Sequence, residues 1–178
     1  MLDTYKVFTR KEISVSDDLD ELQRYSITDE RRYGIFLHDV LSHVIRRGDL
    51  PAAMHRAAYR ARLTPKEEEE QLQLMEKALA DPSVADWFDG AVRVVTERPA
   101  STDSGVRRPD RIVWLPSGSV CVVDYKFGHE VDEKYFHQVR RYMGILRAMG
   151  YDRVEGYLWY PLQGKVLAVE EGQQYLEL

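Results

Sequence analysis

The chain contains 178 residues, of which 44% are hydrophobic and 31% are charged, and its formal net charge at pH 7 is −5. This apolar content excludes an intrinsically disordered chain, and the length suits a single domain over residues 1–178 that buries about two thirds of its unfolded surface. The acidic balance argues against a non-specific nucleic-acid coat, but it is compatible with an enzyme whose basic residues lie on one face.

Cysteine content and hydropathy further limit the class of protein that this chain can be. The single cysteine, Cys121, lies in the apolar run VCVVDY, so the chain lacks the cysteines for a disulfide framework or for a cysteine-ligated zinc or iron–sulfur site. The N-terminal segment MLDTYKVFTRKEISVSDDLDELQ is charged, and no later run approaches the ~18 apolar residues of a membrane span. These features predict a protein that is neither exported nor membrane-inserted and that works in a reducing, cytoplasmic setting.

Residues 31–90 are predicted to form a helical part that follows an N-terminal extension at residues 1–30. Their apolar residues recur at helical spacing in three segments, 31–47, 52–63 and 64–81. The third segment has Thr64 as N-cap, Pro65 in the first turn and Glu67 in position to complete a capping box. Its acidic run is therefore most simply interpreted as helix-start chemistry.

Residues 91–178 are predicted to form a sheet core, because the pattern changes there to a period of two and to β-branched residues. The predicted elements are strands at 91–99, 108–116 and 119–127, a helix at 131–149, and two strands around a turn at Gln163 and Gly164. This order predicts an α/β protein, in α+β order, with a mixed central sheet of about five strands flanked by helices.

The segment RRPDRIVWLPSGSVCVVDYKFG, residues 107–128, places charged residues in two apolar strands. If PSG forms a three-residue hairpin loop, Asp110 faces Asp124 with their Cβ atoms roughly 5 Å apart. Lys126 lies two residues beyond Asp124 and therefore on the same face. A β-bulge would shift this register by one residue. The spacing thus predicts a cluster of two carboxylates and one ammonium group.

Two opposed carboxylates repel each other unless a cation lies between them. Mg²⁺ accepts oxygen ligands and typically binds one or two carboxylates together with substrate phosphates. Asp110 and Asp124 are therefore predicted to hold a metal ion that polarises a phosphodiester, while Lys126 positions the attacking water and offsets developing charge. Taken singly, each aspartate is more simply an edge residue and the lysine a snorkelling one, so the prediction depends on the three together.

Four short motifs occur in order along the chain: GIFLH (34–38), DRI (110–112), DYKFG (124–128) and QVRRY (138–142). Together they resemble the signature of the PD-(D/E)XK nuclease superfamily, and within it the RecB/AddA-like exonuclease domains. The resemblance covers roughly residues 30–170, and it implies a restriction-endonuclease-like core. One departure is Phe127, at a position where that branch usually has a small or hydroxyl residue. This departure leaves the details of the substrate open.

The resemblance also assigns roles to individual residues. It implies Mg²⁺ or Mn²⁺ as the cofactor, without an iron–sulfur cluster, and Lys126 as the catalytic lysine. The implied metal ligands are His38, Asp110, Asp124 and the backbone carbonyl of Tyr125. Gln138 and Tyr142, one helical turn apart, are implied to support the active site and approach DNA. Glu97 matches a weaker acidic position that supports the metal ligands.

Arginines close to these motifs are candidates for contacts with the DNA backbone, which contribute affinity without reading sequence. They are Arg107, Arg108, Arg111 and Arg141. For any one of them a solvated charged face is an equally good interpretation.

The resemblance implies a divalent-metal-dependent DNA nuclease, and favours an exonuclease that processes DNA ends in double-strand-break repair. RecB/AddA-like domains are commonly fused to the C-terminus of a UvrD-like superfamily 1 helicase. This chain has no G-x-x-x-x-G-K-[ST] motif and is not itself the motor, so a fused or associated helicase is the predicted partner. Two alternatives remain open: a non-catalytic DNA-binding or scaffold module of the same fold, and a structure-selective, resolvase-like endonuclease, which usually works as a dimer.

Overall fold

The computed structural model describes residues 30–96 and 109–170. The helices before the sheet are α1 (Glu30–Ser42), α2 (Leu50–Ala61), α3 (Pro65–Leu79) and the short α4 (Ala85–Phe88). A 3-10 turn over Arg47–Asp49 connects α1 to α2. Within the two described ranges, no helix combines the length and the apolar character needed to cross a bilayer.

Helix α1 is shorter than the predicted segment 31–47. The carboxylate of Asp49 accepts hydrogen bonds from the backbone N–H groups of Ile45 (3.0 Å) and Arg46 (2.8 Å). These bonds offer the backbone an alternative to helical pairing, as short polar side chains commonly do. The chain therefore turns before Gly48, the residue at which the apolar spacing predicted the stop.

Helix α3 begins where the capping pattern predicts. Thr64 Oγ1 accepts the N–H of Glu67 (3.3 Å), and Glu67 Oε2 accepts the N–H of Thr64 (2.7 Å). Pro65 occupies the first turn, where its missing N–H costs nothing. Two of the unpaired N–H groups at the helix start are thereby satisfied.

Five strands form one sheet in the order β1-β2-β3-β4-β5. Their bounds are β1 (Arg93–Thr96), β2 (Arg111–Trp114), β3 (Val120–Tyr125), β4 (Val154–Tyr160) and β5 (Lys165–Ala168). Only β3 and β4 run parallel, joined by helix α5 (Glu133–Ala148), while the other neighbours are antiparallel. The predicted mixed five-stranded sheet is confirmed. Every residue of β3 is buried, as expected of a central strand covered on both faces.

The β2–β3 hairpin has the register that the loop length predicts. Ile112 pairs with Val122, and the N–H of Leu115 donates to the carbonyl of Ser119 (2.9 Å). Gly118, in the loop, has a φ of 84°, a left-handed conformation that side chains disfavour. A three-residue loop with glycine at this position closes the hairpin without a register shift.

Alternate side chains of β3 point to opposite faces of the sheet and enter two separate apolar clusters. The first cluster lies against α1 to α4 and includes Leu37, Leu41, Met54, Phe88, Cys121 and Val123. The second lies against α5 and includes Val122, Phe136, Val139, Met143 and Leu158. A fully buried side chain of this size contributes about 1.5–3 kcal/mol, so both layers anchor the sheet.

Helix α5 packs close to the sheet at Gly156, on β4. A Cβ atom at this position would lie 2.4 Å from Met143 Sδ and 2.7 Å from Val139 Cγ1. Glycine is therefore needed for the close approach of helix to strand. This contact fixes the distance between α5 and the ends of β2 and β3, where the charged residues of the hairpin lie.

Candidate active site at the end of the hairpin

Two aspartates come together where β2 begins and β3 ends. Asp110 directly precedes β2, and Asp124 is the penultimate residue of β3. Continuing the observed pairing of Arg111 with Val123 by one residue places the two aspartates opposite each other. Asp124 is only 2% exposed, which is rare for a carboxylate without a specific role or partner.

Asp110 is held by contacts from two elements. Its Oδ2 accepts the backbone N–H of Tyr125 at 2.6 Å, which ties the start of β2 to the end of β3. Its Oδ1 lies 3.3 Å from Nδ1 of His38, on α1. The His38 ring packs edge-on against Phe127, with the ring centroids 4.9 Å apart. The carboxylate is therefore fixed from both the hairpin and the helical part.

Asp124 faces an ammonium group and an amide. Its Oδ2 lies 2.6 Å from Lys126 Nζ, and Gln138 Nε2 donates to its Oδ1 at 3.4 Å. Lys126 Nζ also lies 4.1 Å from the centroid of the Tyr135 ring, on the first turn of α5. Lys126 is thus held between a carboxylate and an aromatic face, and its position is well defined.

The pKa of the Asp124 carboxyl is raised to about 6. Burial is the main cause, and the negative charge of Asp110 adds to it, while Lys126 and His38 act in the opposite direction. The pKa of His38 is also raised: burial lowers it, but the hydrogen bond to Asp110 and the charges of Asp110 and Asp124 outweigh that effect. The site is therefore a concentration of negative charge that favours cations.

The cluster supplies part of the donor set that a divalent metal ion needs. Among residues 30–96 and 109–170, no three His, Cys, Asp or Glu side chains form a ready metal cage. Asp110 and Asp124 nevertheless supply two adjacent carboxylates, and the buried Asp124 Oδ2 receives no well-directed hydrogen bond. Mg²⁺ is commonly held by one or two carboxylates together with water and substrate phosphates, so these two residues fit it. The predicted ligation by His38 and by the Tyr125 carbonyl stays a prediction.

The structure brings most of the predicted residues to one place. Gln138 contacts Asp124, as described above, and Tyr142 lies one turn further along α5, where its ring lines a groove. Arg141 is exposed on the same helix. Three of the predicted residues lie outside the described residues: Glu97, Arg107 and Arg108.

Arg111 corrects one expectation. Its side chain is 0% exposed, and its guanidinium donates four hydrogen bonds to the carbonyl oxygens of Val44, Ile45 and Trp87. It also lies 4.1 Å from the centroid of the Phe88 ring. A buried, hydrogen-bonded guanidinium cannot reach a phosphate, so the prediction that Arg111 contacts DNA is wrong. The Arg111 side chain instead links β2 to the helical part through these hydrogen bonds.

Tyr135 was not predicted from the sequence. It precedes Gln138 by three residues on α5, so both side chains lie on one face of the helix. That spacing was a usable signal, because Gln138 was already assigned to the site. Phe127, noted above only as a departure from the family pattern, has a position of its own against the His38 ring.

Comparison with known proteins agrees with this geometry. The family model of the PD-(D/E)XK nuclease superfamily matches residues 13–175, nearly the whole chain. No curated protein matches the chain. The matched region contains α1, the β2–β3 hairpin and α5, which are the elements that carry His38, Asp110, Asp124, Lys126 and Gln138.

Proposed function

The chain belongs to the PD-(D/E)XK nuclease superfamily, and from this premise we propose that it is a divalent-metal-dependent nuclease that hydrolyses phosphodiester bonds in DNA. Members of the superfamily are generally nucleases that use Mg²⁺ or Mn²⁺. The observation that carries the proposal is the convergence of Asp110, Asp124 and Lys126 at the end of one hairpin. A family member that kept the fold but lost catalysis would have no need to bury one carboxylate next to a second carboxylate.

Each residue of the cluster has a distinct task in this proposal. Asp110 and Asp124 would hold the metal ion, which would polarise the phosphate and lower the pKa of a coordinated water. Lys126 directs the attacking water and stabilises charge that develops on the phosphoryl oxygens, and the contacts with Asp124 and Tyr135 keep its amine in place. Gln138 orients the Asp124 carboxylate from α5.

His38 acts on Asp110 in this scheme. As a hydrogen-bond partner at 3.3 Å it fixes which oxygen of Asp110 faces the cluster, and its imidazole is also a suitable metal ligand. Holding Asp110 requires only a hydrogen-bond donor, whereas ligating a metal ion requires an imidazole whose ligating nitrogen is unprotonated. His38→Gln, which keeps a hydrogen-bonding group, is therefore expected to weaken metal binding more than it weakens folding.

We further propose that the enzyme is an exonuclease of the RecB/AddA-like kind, which acts on DNA ends during double-strand-break processing. The order of the four motifs supports this subtype. A UvrD-like helicase, fused or associated, would deliver the DNA, since a net charge of −5 opposes independent tracking of the chain along the DNA backbone. Exposed Arg141 and, in the sequence, Arg107 and Arg108 are the proposed contacts to the backbone.

The test is cleavage of end-labelled linear DNA and of closed circular DNA with Mg²⁺, Mn²⁺ or EDTA. We expect metal-dependent loss of linear DNA, and a reduction of at least about a hundredfold for Asp124→Ala and Lys126→Ala. Lys66→Ala and Asp89→Ala are matched controls, because each removes a charge that is ion-paired at a distance from the cluster. Equal activity of wild type and both site variants would contradict the proposal.

Three additions to this experiment separate the two alternatives: a branched DNA substrate, a DNA-binding assay and sedimentation of the chain. A scaffold module would bind DNA without cutting it under any metal condition. A structure-selective endonuclease would cut branched or circular DNA and would sediment as a dimer. Degradation confined to linear DNA by a monomer is the result that the exonuclease proposal requires.

A further inference from the structure

A groove of about 350 Å³ lies between α5 and the outer part of the sheet. Its walls are mainly apolar and aromatic: Trp114 and Tyr151 contribute rings, and Ile145 and Met149 are unusually exposed for apolar residues, at 48% and 68%. Two arginines, Arg93 and Arg141, also line it. A concave surface of this volume, lined by apolar and aromatic side chains with a few charged groups, has the usual composition of a ligand site.

The groove lies beside the carboxylate cluster, because Pro109 and Ile112, on either side of Asp110 in the sequence, line it. Asp110, Ile112 and Trp114 are alternate residues, so their side chains follow one another along one face of β2. On the facing helix, Gln138 contacts Asp124, and Tyr142, one turn further, lines the groove. Trp114 lies about 13 Å along the strand from Asp110, which is the length of roughly four stacked nucleotides.

The chemistry of the walls favours the face of a nucleobase. The Trp114 and Tyr151 rings are 6.0 Å apart at an angle of 63°, and the Arg93 guanidinium lies 4.6 Å from the centroid of the Trp114 ring. Aromatic rings and guanidinium planes are the groups on which unpaired bases stack. A paired duplex hides its base faces in the stack and presents phosphates and groove edges instead, for which an apolar wall offers no partner.

We propose that this groove is a subsite for unpaired bases of the DNA strand that is being cleaved, within about four nucleotides of the scissile phosphate. This inference rests on the proposed function and deepens it, because it names the substrate as DNA with an unpaired end. Trp114 and Tyr151 stack with the bases, the Arg93 guanidinium on the Trp114 ring extends this stacking surface, and Arg141 contacts the adjoining phosphates. The groove therefore selects single strands over intact duplex.

The test compares two ligands with the same phosphates. One is a short oligothymidylate, and the other is an abasic strand of equal length that lacks bases. Binding to the full chain is measured in EDTA by anisotropy of an end label, so that no cleavage occurs. We expect wild type to bind the oligothymidylate at least about tenfold more tightly, the effect of losing one base–aromatic stack. A blunt duplex should bind as weakly as the abasic strand.

Two variants locate this preference in the groove. Tyr151→Leu and Trp114→Leu should each reduce the ratio between the two ligands by about tenfold, and Tyr151 is only partly buried, so its replacement should not prevent folding. The control is Tyr59→Leu, which removes an 80% exposed tyrosine from α2, outside the groove. In wild type, oligothymidylate should also quench tryptophan fluorescence, because Trp114 is partly exposed whereas Trp87 and Trp159 are buried.

The outcomes distinguish this inference from the proposed function. Equal binding of both ligands by wild type, or an unchanged ratio in both groove variants, would overturn the subsite and leave the groove to a protein partner. If wild type cleaves DNA with Mg²⁺ while either of these results holds, only the subsite fails. If base-dependent binding is lost in the groove variants but wild type cleaves nothing, the subsite stands and the nuclease proposal fails.

Discussion

Each face of the sheet buries one charged residue of the β2–β3 hairpin, but the two residues differ in how completely their charged groups are hydrogen-bonded. Arg111, on the face toward α1 to α4, donates four hydrogen bonds to carbonyl groups. Asp124, on the face toward α5, has one long hydrogen bond and an ion pair with Lys126, and its pKa is raised to about 6, chiefly by burial. A buried charged group in which every nitrogen has a hydrogen-bond acceptor stabilises a fold, whereas an incompletely satisfied one marks a site that binds something else.

Replacing Arg111 should produce the largest effect on stability. Arg111→Leu leaves the carbonyl groups of Val44, Ile45 and Trp87 buried without donors, so we expect a loss of about 3–5 kcal/mol of unfolding free energy. Urea denaturation followed by circular dichroism measures it. Arg56→Leu, an exposed arginine on α2, is the control, with an expected change within about 0.5 kcal/mol. Similar values for both variants would show that the Arg111 contacts contribute little.

Replacing Asp124 should raise the free energy of unfolding, and the size of this gain should depend on pH. Because the folded pKa of about 6 lies above the unfolded value of 3.8, the contribution of this carboxyl is largest below pH 3.8 and is lost as the pH rises through 6. Without metal, Asp124→Asn should therefore gain stability relative to wild type between pH 4 and 7, by on the order of 2–3 kcal/mol. Urea denaturation in EDTA at several pH values measures the difference. A difference that stays constant with pH would show that the pKa of the Asp124 carboxyl is not raised in the folded protein.

Replacing Gly156, which contacts α5, should have a smaller effect on stability. Gly156→Ala places a methyl group against Met143 and Val139, so we expect a loss of about 1–3 kcal/mol from overpacking. Because α5 carries Gln138 and Tyr135, its displacement should also reduce cleavage. Gly144→Ala is the matched control on α5 itself, since an added Cβ there meets no atom within 4 Å. Thermal unfolding of both variants compares the two positions, and an equally stable Gly156→Ala protein would refute the close contact.

The hairpin could be predicted from the sequence because its determinants are local. Loop length sets the register of a β-hairpin, and the alternation of side chains then decides which residues share a face. Asp110, Asp124 and Lys126 could therefore be grouped without any tertiary information. His38 could not, because it lies on a helix far away along the chain, and only the resemblance to a known family connected it to Asp110.

Other features depend on tertiary packing, so the sequence predicted them incorrectly or not at all. Arg111 carries the same charge as its neighbours Arg107 and Arg108 in the sequence, and nothing local indicates that carbonyl groups from two distant segments will surround it. The early end of α1 depends on a side-chain bond from Asp49 that competes with the helix. The groove beside α5 is equally invisible, because it arises from the packing of a helix against two strands.

The most direct test of the cluster as a metal site is the shift in unfolding temperature that Mg²⁺ produces, compared with KCl at equal ionic strength. A ligand that binds only the folded state stabilises it in proportion to the logarithm of its concentration. Wild type and Asp89→Asn should unfold at a higher temperature in Mg²⁺, and Asp124→Asn should show no shift. An equal Mg²⁺ shift in Asp124→Asn and wild type would contradict the assignment of Asp124 as a ligand and, with it, the account of why this carboxylate is buried.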